Sequence, residues 1–118
     1  MITVGILTLS DKGARGERED LSGVEIKRLV ADIPAEVKAY EVIPDEKYLI
    51  KDKLIEYADD LGLDIIITTG GTGVSPRDVT PDATLEVIDK DIPGMAEVMR
   101  FESLKKTPRA MISRAVVG

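Results

Sequence analysis

The chain has 118 residues, of which 43% are hydrophobic and 32% charged, so we predict a single domain over residues 1–118 with one buried core and a heavily charged surface. Its formal net charge of −6 repels nucleic-acid phosphates and argues against general nucleic-acid binding. The longest stretch without a charged residue, residues 65–76, contains three glycines and is well short of the ~20 apolar residues that a membrane-spanning helix needs.

Two absences restrict the chemistry further, because the chain has no histidine and no cysteine. Without histidine it lacks the usual general base, the Ser-His-Asp triad and the commonest zinc ligand. Without cysteine it has no thiolate nucleophile, disulfide or soft-metal ligand, which agrees with a cytoplasmic location. The remaining carboxylates, hydroxyls, cations and backbone amides suit oxygen-ligated metals such as Mg²⁺ and phosphate groups.

The first third of the chain reads as strand, helix, strand. Ile2–Leu9 is apolar and β-branched, as expected of a buried strand. After a polar stretch, Ser22 and Glu25 fit a capping box, which predicts a helix over residues 22–31. Ala35–Ile43 mixes apolar and charged residues and indicates a strand nearer the edge of the sheet than its middle.

The middle third repeats the alternation. Pro44-Asp45-Glu46 opens a helix whose apolar residues recur at helical spacing, and Gly62 marks its end. The apolar face of this helix comprises Ile50, Leu54, Tyr57 and Ala58. Residues 63–69 form a short apolar run without alternation, which predicts a central parallel strand covered by helices on both faces.

The last third begins with a glycine-rich loop and then a helix for which Thr80 is the predicted N-cap and Pro81 the first helical residue. Pro93-Gly94 separates this helix from another, over residues 95–105, and residues 110–117 read as a final strand. The order predicts an α/β fold, a three-layer sandwich with a mostly parallel central sheet and helices on both faces.

In such a sheet the loops after Leu9, Ile43 and Thr69 all lie at the carboxyl edge, where ligands of open α/β sheets bind. The loop after Thr69 has glycines at 70, 71 and 73, and their backbone amides are candidates to hold phosphate oxygens. The loop is neither a Walker loop nor a Rossmann fingerprint. A tight turn without a ligand is an equally good explanation of an arbitrary loop of this composition.

Two aspartates follow the ends of separate strands, and their placement suggests opposite sides of one phosphate–metal site. Asp45, taken alone, is more simply explained as a helix N-cap. Asp78 is harder to explain in that way, because Thr80 fits the cap better. Arg77 beside it either neutralises a polyphosphate or is a solvated surface cation.

Three further pairs of polar or charged residues each have a structural explanation. Ser10 and Asp11, with the loop that continues to Gly16 and Asp20, either contact a polar ligand or form a solvated connection. Glu97 and Arg100 lie three residues apart on one helix, where an exposed ion pair is expected. Ser113-Arg114 lies in a strand-like run and by itself indicates no site.

Taken together, these stretches resemble the molybdopterin adenylyltransferase family, the MogA/MoaB type of molybdenum cofactor biosynthesis protein. The motifs occur in order along essentially the whole chain, and the block from the GGTG loop to Thr84 is the most restrictive. The matching stretches are Ser10-Asp11 with Gly16, Asp20, Ser22 and Gly23; Ile43-Pro44-Asp45-Glu46; TTGGTG with Arg77-Asp78-Val79-Thr80-Pro81-Asp82-Ala83-Thr84; Pro93-Gly94-Met95 with Glu97 and Met99-Arg100; and Ser113-Arg114.

The resemblance implies attack of the terminal phosphate of molybdopterin on the α-phosphorus of MgATP, with release of pyrophosphate. It implies that Asp45 and Asp78 are catalytic and organise Mg²⁺, and that the GGTG loop lies in the ligand pocket. The expected substrate- and nucleotide-binding residues are Ser10, Asp11, Thr69, Gly70, Gly71, Thr72, Gly73, Arg77 and Thr80. The alternative is a non-catalytic module of the same fold that binds molybdopterin or acts as a scaffold.

The resemblance also implies features beyond the single chain. Members of the family continue past the point that matches Gly118 with a further strand and loop, so we expect this chain to lack that segment and to leave residues 110–117 as an exposed edge. A homotrimer or hexamer is expected. A downstream molybdate-inserting protein is the expected partner.

Overall fold

A computed structural model describes all residues, 1–118. Three strands and five helices follow in the order strand, helix, helix, strand, helix, strand, helix, helix. They are β1 (Ile2–Leu9), α1 (Asp11–Ala14), α2 (Leu21–Val30), β2 (Ala35–Ile43), α3 (Lys47–Ile55), β3 (Ile65–Thr69), α4 (Thr80–Val87) and α5 (Pro93–Leu104). A π-helical turn, Glu56–Asp60, extends α3, and a 3₁₀ turn, Pro108–Ile112, follows α5. The predicted α/β class with a parallel sheet is confirmed.

The sheet has the order β2-β1-β3, and both pairings are parallel. The edge position predicted for β2 is therefore correct. The central position predicted for residues 63–69 is wrong, because β1 occupies the middle and β3 begins only at Ile65. An unbroken apolar run is compatible with either place, and in β3 Ile65 is exposed whereas β1 is buried from Val4 to Leu9.

The core has two parts, one on each face of β1. Leu7 and Leu9 pack with Ile50, Leu54, Tyr57 and Ala83 of α3, the π-helical turn and α4. Val4 and Ile6 pack with Val30 of α2 on the opposite face. Helices thus cover both faces of the sheet, and the alternation of β1 side chains joins the layers.

The start of α2 differs from the predicted capping box. Its N-cap is Asp20, whose Oδ1 accepts a hydrogen bond of 3.0 Å from the Gly23 amide, while Ser22 lies inside the helix. Asp20 Oδ2 also accepts from the Thr8 hydroxyl at 2.8 Å and from the Tyr40 hydroxyl. Side chains of β1 and β2 therefore hold the Asp20 carboxylate. Because these partners lie 12 and 20 residues away in the sequence, a local pattern could not predict the contact.

The long middle helix follows the prediction more closely. Ile50, Leu54 and Tyr57 are buried as predicted, although Ala58 is exposed. Gly62 ends this segment with a φ of +61°, a backbone angle that glycine adopts without strain. Tyr57 also donates a 2.8 Å hydrogen bond to Glu41 Oε1, which joins the helical layer to β2.

The predicted final strand over residues 110–117 does not form. Thr107 instead caps the 3₁₀ turn through a hydrogen bond from the Arg109 amide, and the chain then runs without regular structure. The predicted Glu97–Arg100 ion pair is also absent, because Arg100 donates to the Ala115 carbonyl at 2.8 Å. The C-terminal segment is thus held by side chains and by isolated backbone hydrogen bonds, such as that from the Ile92 amide to the Val117 carbonyl at 2.7 Å, rather than by strand pairing.

The remaining helix starts differ from the predicted ones by one or two residues. Thr80 is the first residue of α4 rather than its cap, and α5 begins at Pro93 rather than at residue 95. None of the helices has the length and apolar character that crossing a membrane requires.

Candidate functional site

The ends of all three strands meet at the carboxyl edge of the sheet, as predicted. The Ser10 amide donates a 2.9 Å hydrogen bond to the Ile43 carbonyl, which joins the ends of β1 and β2. Gly70 lies so close to β1 that a Cβ atom on it would stand 2.3 Å from the Leu9 carbonyl oxygen. The three predicted loops therefore form one surface.

Asp11 and Asp45 are joined by two reciprocal hydrogen bonds. The Asp11 amide donates to Asp45 Oδ2 at 3.1 Å, and the Asp45 amide donates to Asp11 Oδ1 at 3.0 Å. Asp45 does not cap α3, because the N-cap is Glu46 and makes no side-chain capping bond. The alternative explanation of Asp45 as a helix cap is therefore excluded, and its carboxylate is tied to the end of β1 instead.

Arg77, in the glycine loop, binds Asp11 of this pair and the neighbouring Glu46. Its Nε and Nη2 donate to the two oxygens of Asp11 at 3.1 and 2.9 Å, and Nη2 also donates to Glu46 Oε1 at 3.0 Å. The hydrogen bond from Arg77 lowers the pKa of Asp11, and the two carboxylates raise the pKa of Arg77. Arg77 is thus paired with two carboxylates at the site, while its side chain stays 55% exposed.

The second oxygen of Asp45 has no partner. Asp45 Oδ1 is buried and accepts no hydrogen bond. Burial raises the pKa of this carboxyl, the Asp11 amide opposes the rise, and the charges of Asp11 and Asp78 add to it. A buried carboxylate oxygen without a partner is costly, so this atom is the place in the site where an added cation or donor gains most.

Asp78 is positioned by its own loop. Its Oδ2 accepts hydrogen bonds from the Ser75 amide at 3.0 Å and from the Ser75 hydroxyl at 2.7 Å. Its charge contributes to the raised pKa of Asp45, so the two aspartates belong to one electrostatic neighbourhood. They are not part of a cluster of three or more acidic side chains of the kind that could hold a metal ion alone.

The first residues of the glycine loop have bound carbonyls and free amides. The carbonyls of residues 70–73 each accept a hydrogen bond from within the protein, whereas the amides of residues 71–74 donate to no protein acceptor. The four donors are Thr80 Oγ1 at 2.9 Å to Gly70, the Thr80 amide at 3.2 Å to Gly71, the Arg114 amide at 2.7 Å to Thr72 and Arg114 Nε at 2.8 Å to Gly73. Consecutive unpaired amides of this kind suit an anion.

Gly71 allows the loop to pass close to the Asp45 carboxylate. Its φ is +67°, and a Cβ atom there would lie 2.4 Å from Thr80 Oγ1 and 2.9 Å from Asp45 Oδ1. Both observations require glycine, the first because an L side chain is strained at positive φ and the second because no space is available.

We expect Gly71→Ala to destabilise the protein by about 3 kcal/mol, the sum of the strain at positive φ and the forced displacement of packed atoms. Gly62→Ala is the matched control, because Gly62 has a φ of +61° but no atom within 4 Å of the place that a methyl group would take. It isolates the strain, at about 1 kcal/mol. Urea denaturation measures both, and equal losses would contradict the close packing at Gly71.

The other predicted site residues have structural partners. Ser10 Oγ caps α1 by accepting from the Gly13 amide at 3.0 Å. Thr69 and Thr72 are half-buried, and Thr80 is buried. A groove of about 880 Å³ with a largely apolar lining reaches the loop at Thr72 and Thr80, but Asp45 and Asp78 do not line it.

The structure places three residues at the site for which the sequence predicts no individual role. Glu46 pairs with Arg77, Ser75 holds Asp78, and Arg114 binds the glycine loop. The only signal for Arg114 is its position in the Ser113-Arg114 stretch of the family motif. Glu46 likewise has only its position in the Ile43-Pro44-Asp45-Glu46 stretch of that motif, and no pattern in the sequence points to Ser75.

Known proteins resemble the chain over nearly its whole length. The family model described as "Probable molybdopterin binding domain" matches residues 5–118. The molybdopterin adenylyltransferase of Helicobacter pylori strain J99 is 42% identical over 120 residues, which cover 99% of this chain and 68% of the relative.

Solved structures of related proteins have the same fold as this chain. The crystal structure of the molybdopterin biosynthesis enzyme MoaB from Thermus thermophilus superposes with a TM-score of 0.93 at 54% identity, over 100% of this chain and 74% of that one. The tungsten cofactor synthesizing protein MoaB from Pyrococcus furiosus superposes with a TM-score of 0.88 at 36% identity, over 99% of this chain and 72% of that one.

Proposed function

The chain belongs to the family of probable molybdopterin binding domains, and on that premise we propose that it is a molybdopterin adenylyltransferase of molybdenum cofactor biosynthesis. An oxygen of the terminal phosphate of molybdopterin forms a bond to the α-phosphorus of ATP. The bond from that phosphorus to the oxygen bridging to the β-phosphate breaks, and pyrophosphate leaves with the electron pair. The products are adenylylated molybdopterin and pyrophosphate.

The observation that carries this proposal is the row of unpaired amides at residues 71–74 beside two carboxylates. Free backbone donors at a strand end stabilise phosphate oxygens without any side-chain rearrangement. The amides of Gly71 and Gly73 are two of these four donors. Thr69, Gly70, Thr72 and Thr80 shape the same loop, and Ser10 begins the neighbouring one.

The charges of the site support a nucleotide that carries its own magnesium. Magnesium in nucleotide sites is usually held by one or two carboxylates together with substrate phosphates and waters. Asp45 fits that role, because its Oδ1 is buried without a partner, and Asp78 is the second carboxylate. When bound, Mg²⁺ would neutralise part of the negative charge on the phosphates.

The chain needs no proton-transfer residue for this reaction. A phosphate nucleophile is already anionic at neutral pH, so positioning and charge neutralisation supply most of the acceleration. The absence of histidine and cysteine therefore agrees with the proposal. Arg77 holds Asp11 and Glu46 and thereby keeps the Asp11–Asp45 pair in place. The positive charge of Arg77 lies in the same loop and can act on the triphosphate.

The proposal is tested by incubating the protein with molybdopterin and α-labelled ATP in the presence of Mg²⁺. We expect label to appear in adenylylated molybdopterin in a one-to-one ratio with pyrophosphate, and no pyrophosphate when molybdopterin is omitted. Tight binding of molybdopterin, measured by calorimetry, without any pyrophosphate release would support the alternative of a non-catalytic binding or scaffold module. The absence of both molybdopterin binding and turnover would reject both functions.

We further propose that the protein acts as a homotrimer or hexamer and passes its product to a metal-inserting protein. The support for self-association is α5, where Val98 and Phe101 are each 62% exposed and Met95 is 57% exposed. Apolar side chains clustered on one exposed helix are typical of protein interfaces. A cytoplasmic location remains a prediction.

A further inference from the structure

The C-terminal segment sends one side chain into the glycine loop. Arg114 Nε donates to the Gly73 carbonyl at 2.8 Å, and Nη2 donates to the Asp78 carbonyl at 2.6 Å. The Arg114 amide also donates to the Thr72 carbonyl at 2.7 Å. One residue, 36 to 42 positions away in the sequence, thus binds both ends of the segment that carries Asp78.

These bonds determine which way the loop amides point. In a trans peptide the C=O of one residue and the N–H of the next point in opposite directions across the same plane. Because the carbonyls of Thr72 and Gly73 face Arg114, the amides of Gly73 and Val74 face away from it. Neither of these amides has a protein acceptor.

The Arg114 guanidinium also limits the movement of Asp78. The bond from Ser75 to the Asp78 carboxylate fixes the side chain relative to the loop, and Arg114 fixes the loop relative to the rest of the protein. Arg114 is itself steadied by Asp82, whose carboxylate lies 3.3 Å from Nη2. Arg100 holds the adjacent backbone through the Ala115 carbonyl.

We propose that Arg114 is a positioning residue that aims the Gly73 and Val74 amides and the Asp78 carboxylate at the phosphates of the nucleotide. This inference rests on the proposed function. Arg114 acts through the loop, because four of the five N–H groups of its guanidinium donate to two loop carbonyls and to the Asp82 carboxylate. A planar guanidinium spans two separated carbonyls in a way that a single ammonium group does not.

The first test compares Arg114→Ala with Arg109→Ala, which removes an arginine of the same segment whose side chain makes no hydrogen bond or ion pair in the structure. We expect Arg114→Ala to lower kcat/KM for ATP by roughly a hundredfold, the size of loss that small misplacement of reacting groups causes. Added methylguanidinium should restore at least part of that loss, and Arg109→Ala should behave as the wild type. Equal activity of the two variants would overturn the inference.

Arg114→Lys guards against a variant that fails to fold. It keeps the charge beside Asp82 but cannot bind both carbonyls in the same way, so we expect a kcat/KM well below that of the wild type at an unchanged thermal midpoint. Wild-type activity of Arg114→Lys would show that charge alone suffices and would overturn the role assigned to the guanidinium.

A measurement without turnover separates this inference from the proposed function. Addition of ATP to the ¹⁵N-labelled wild type should shift the amide signals of Gly73 and Val74, and Arg114→Ala should reduce both shifts. This result supports the inference even if the wild type releases no pyrophosphate, which would count against the proposed reaction alone. Unmoved Gly73 and Val74 signals in the wild type would overturn the inference whatever the activity.

Discussion

Replacing Asp45 with asparagine is expected to lower the rate of AMP transfer by about a thousandfold, because an interaction worth several kcal/mol of charge stabilisation is lost and each 1.36 kcal/mol is about tenfold in rate. The same change should leave the folded protein at least as stable as the wild type. The Asp45 carboxylate has a buried oxygen without a partner and two like charges nearby. Its neutral replacement removes the buried charge and the repulsion from Asp11 and Asp78, which are the causes that raise the pKa of this carboxyl.

The stability difference should depend on pH in a defined direction. Because the pKa of Asp45 is raised in the folded state, the folded protein binds this proton more tightly than the unfolded chain does. The carboxyl therefore costs stability as the pH rises from the usual carboxyl pKa through the raised one. We expect the advantage of Asp45→Asn in Tm to be full at neutral pH and to disappear in acid, where the wild-type carboxyl is protonated.

Asp32→Asn is the matched control for this experiment. Asp32 is exposed in the turn between α2 and β2, at the opposite end of the sheet from the site. It loses the same charge, and we expect both activity and stability to stay close to the wild type. If Asp45→Asn retains wild-type turnover, or is markedly less stable than Asp32→Asn, the assignment of Asp45 is wrong.

Replacing Asp78 with asparagine is expected to lower the rate of pyrophosphate release on the order of a thousandfold as well. The loop should stay folded. The amide oxygen of asparagine can still accept the hydrogen bonds that Asp78 Oδ2 receives from Ser75. The substitution therefore removes the charge and keeps the anchor. Pyrophosphate release measured with molybdopterin and ATP checks the result.

A second readout tests the placement of the two aspartates without relying on activity. The charge of Asp78 contributes to the raised pKa of Asp45, so Asp78→Asn should lower the pKa of Asp45. Carboxyl ¹³C titration by NMR measures this shift directly. An unchanged Asp45 titration would contradict the electrostatic coupling of the two side chains on which this placement rests.

Ser75→Ala provides the graded comparison, because it retains the Asp78 charge and removes one of the two hydrogen bonds that orient it. We expect a loss of about tenfold, the contribution of one hydrogen bond to a charged group. Activity of Ser75→Ala as low as that of Asp78→Asn would show that the orientation of the carboxylate matters more than its charge.

Much of the fold follows from local pattern. The bounds of β1 and β2, the buried face of α3 and the break at Gly62 were all predicted, because hydrophobic spacing and glycine or proline act within a few residues. The predicted final strand was wrong because contacts with distant parts of the chain, rather than local pattern, decide the conformation of these residues. Residues 110–117 have suitable side chains for a strand, but side-chain contacts from Arg100 and Arg114 hold the segment elsewhere.

For the candidate site, too, some features could be predicted from the sequence and others could not. The position of the glycine loop and the two aspartates at one edge of the sheet could be predicted from the sequence, because parallel strands bring the loops that follow them to the same edge. The roles of their neighbours could not. Arg77 was expected to neutralise a phosphate or to face solvent, and the structure adds a pairing with Asp11, 66 residues away, that no local pattern contains. Asp20 was a candidate ligand contact, and it caps α2 and joins two strands.

The sequence by itself thus determined the α/β class, the edge of the sheet that carries the site, and the chemical groups available there. Only the tertiary structure decided how those groups are paired: Asp45 with the end of β1, Asp78 with Ser75, and the loop carbonyls with Arg114. The physical reason is that secondary structure responds to neighbours in the chain. Hydrogen bonds between side chains and distant backbone exist only once the packed layers have brought the segments together.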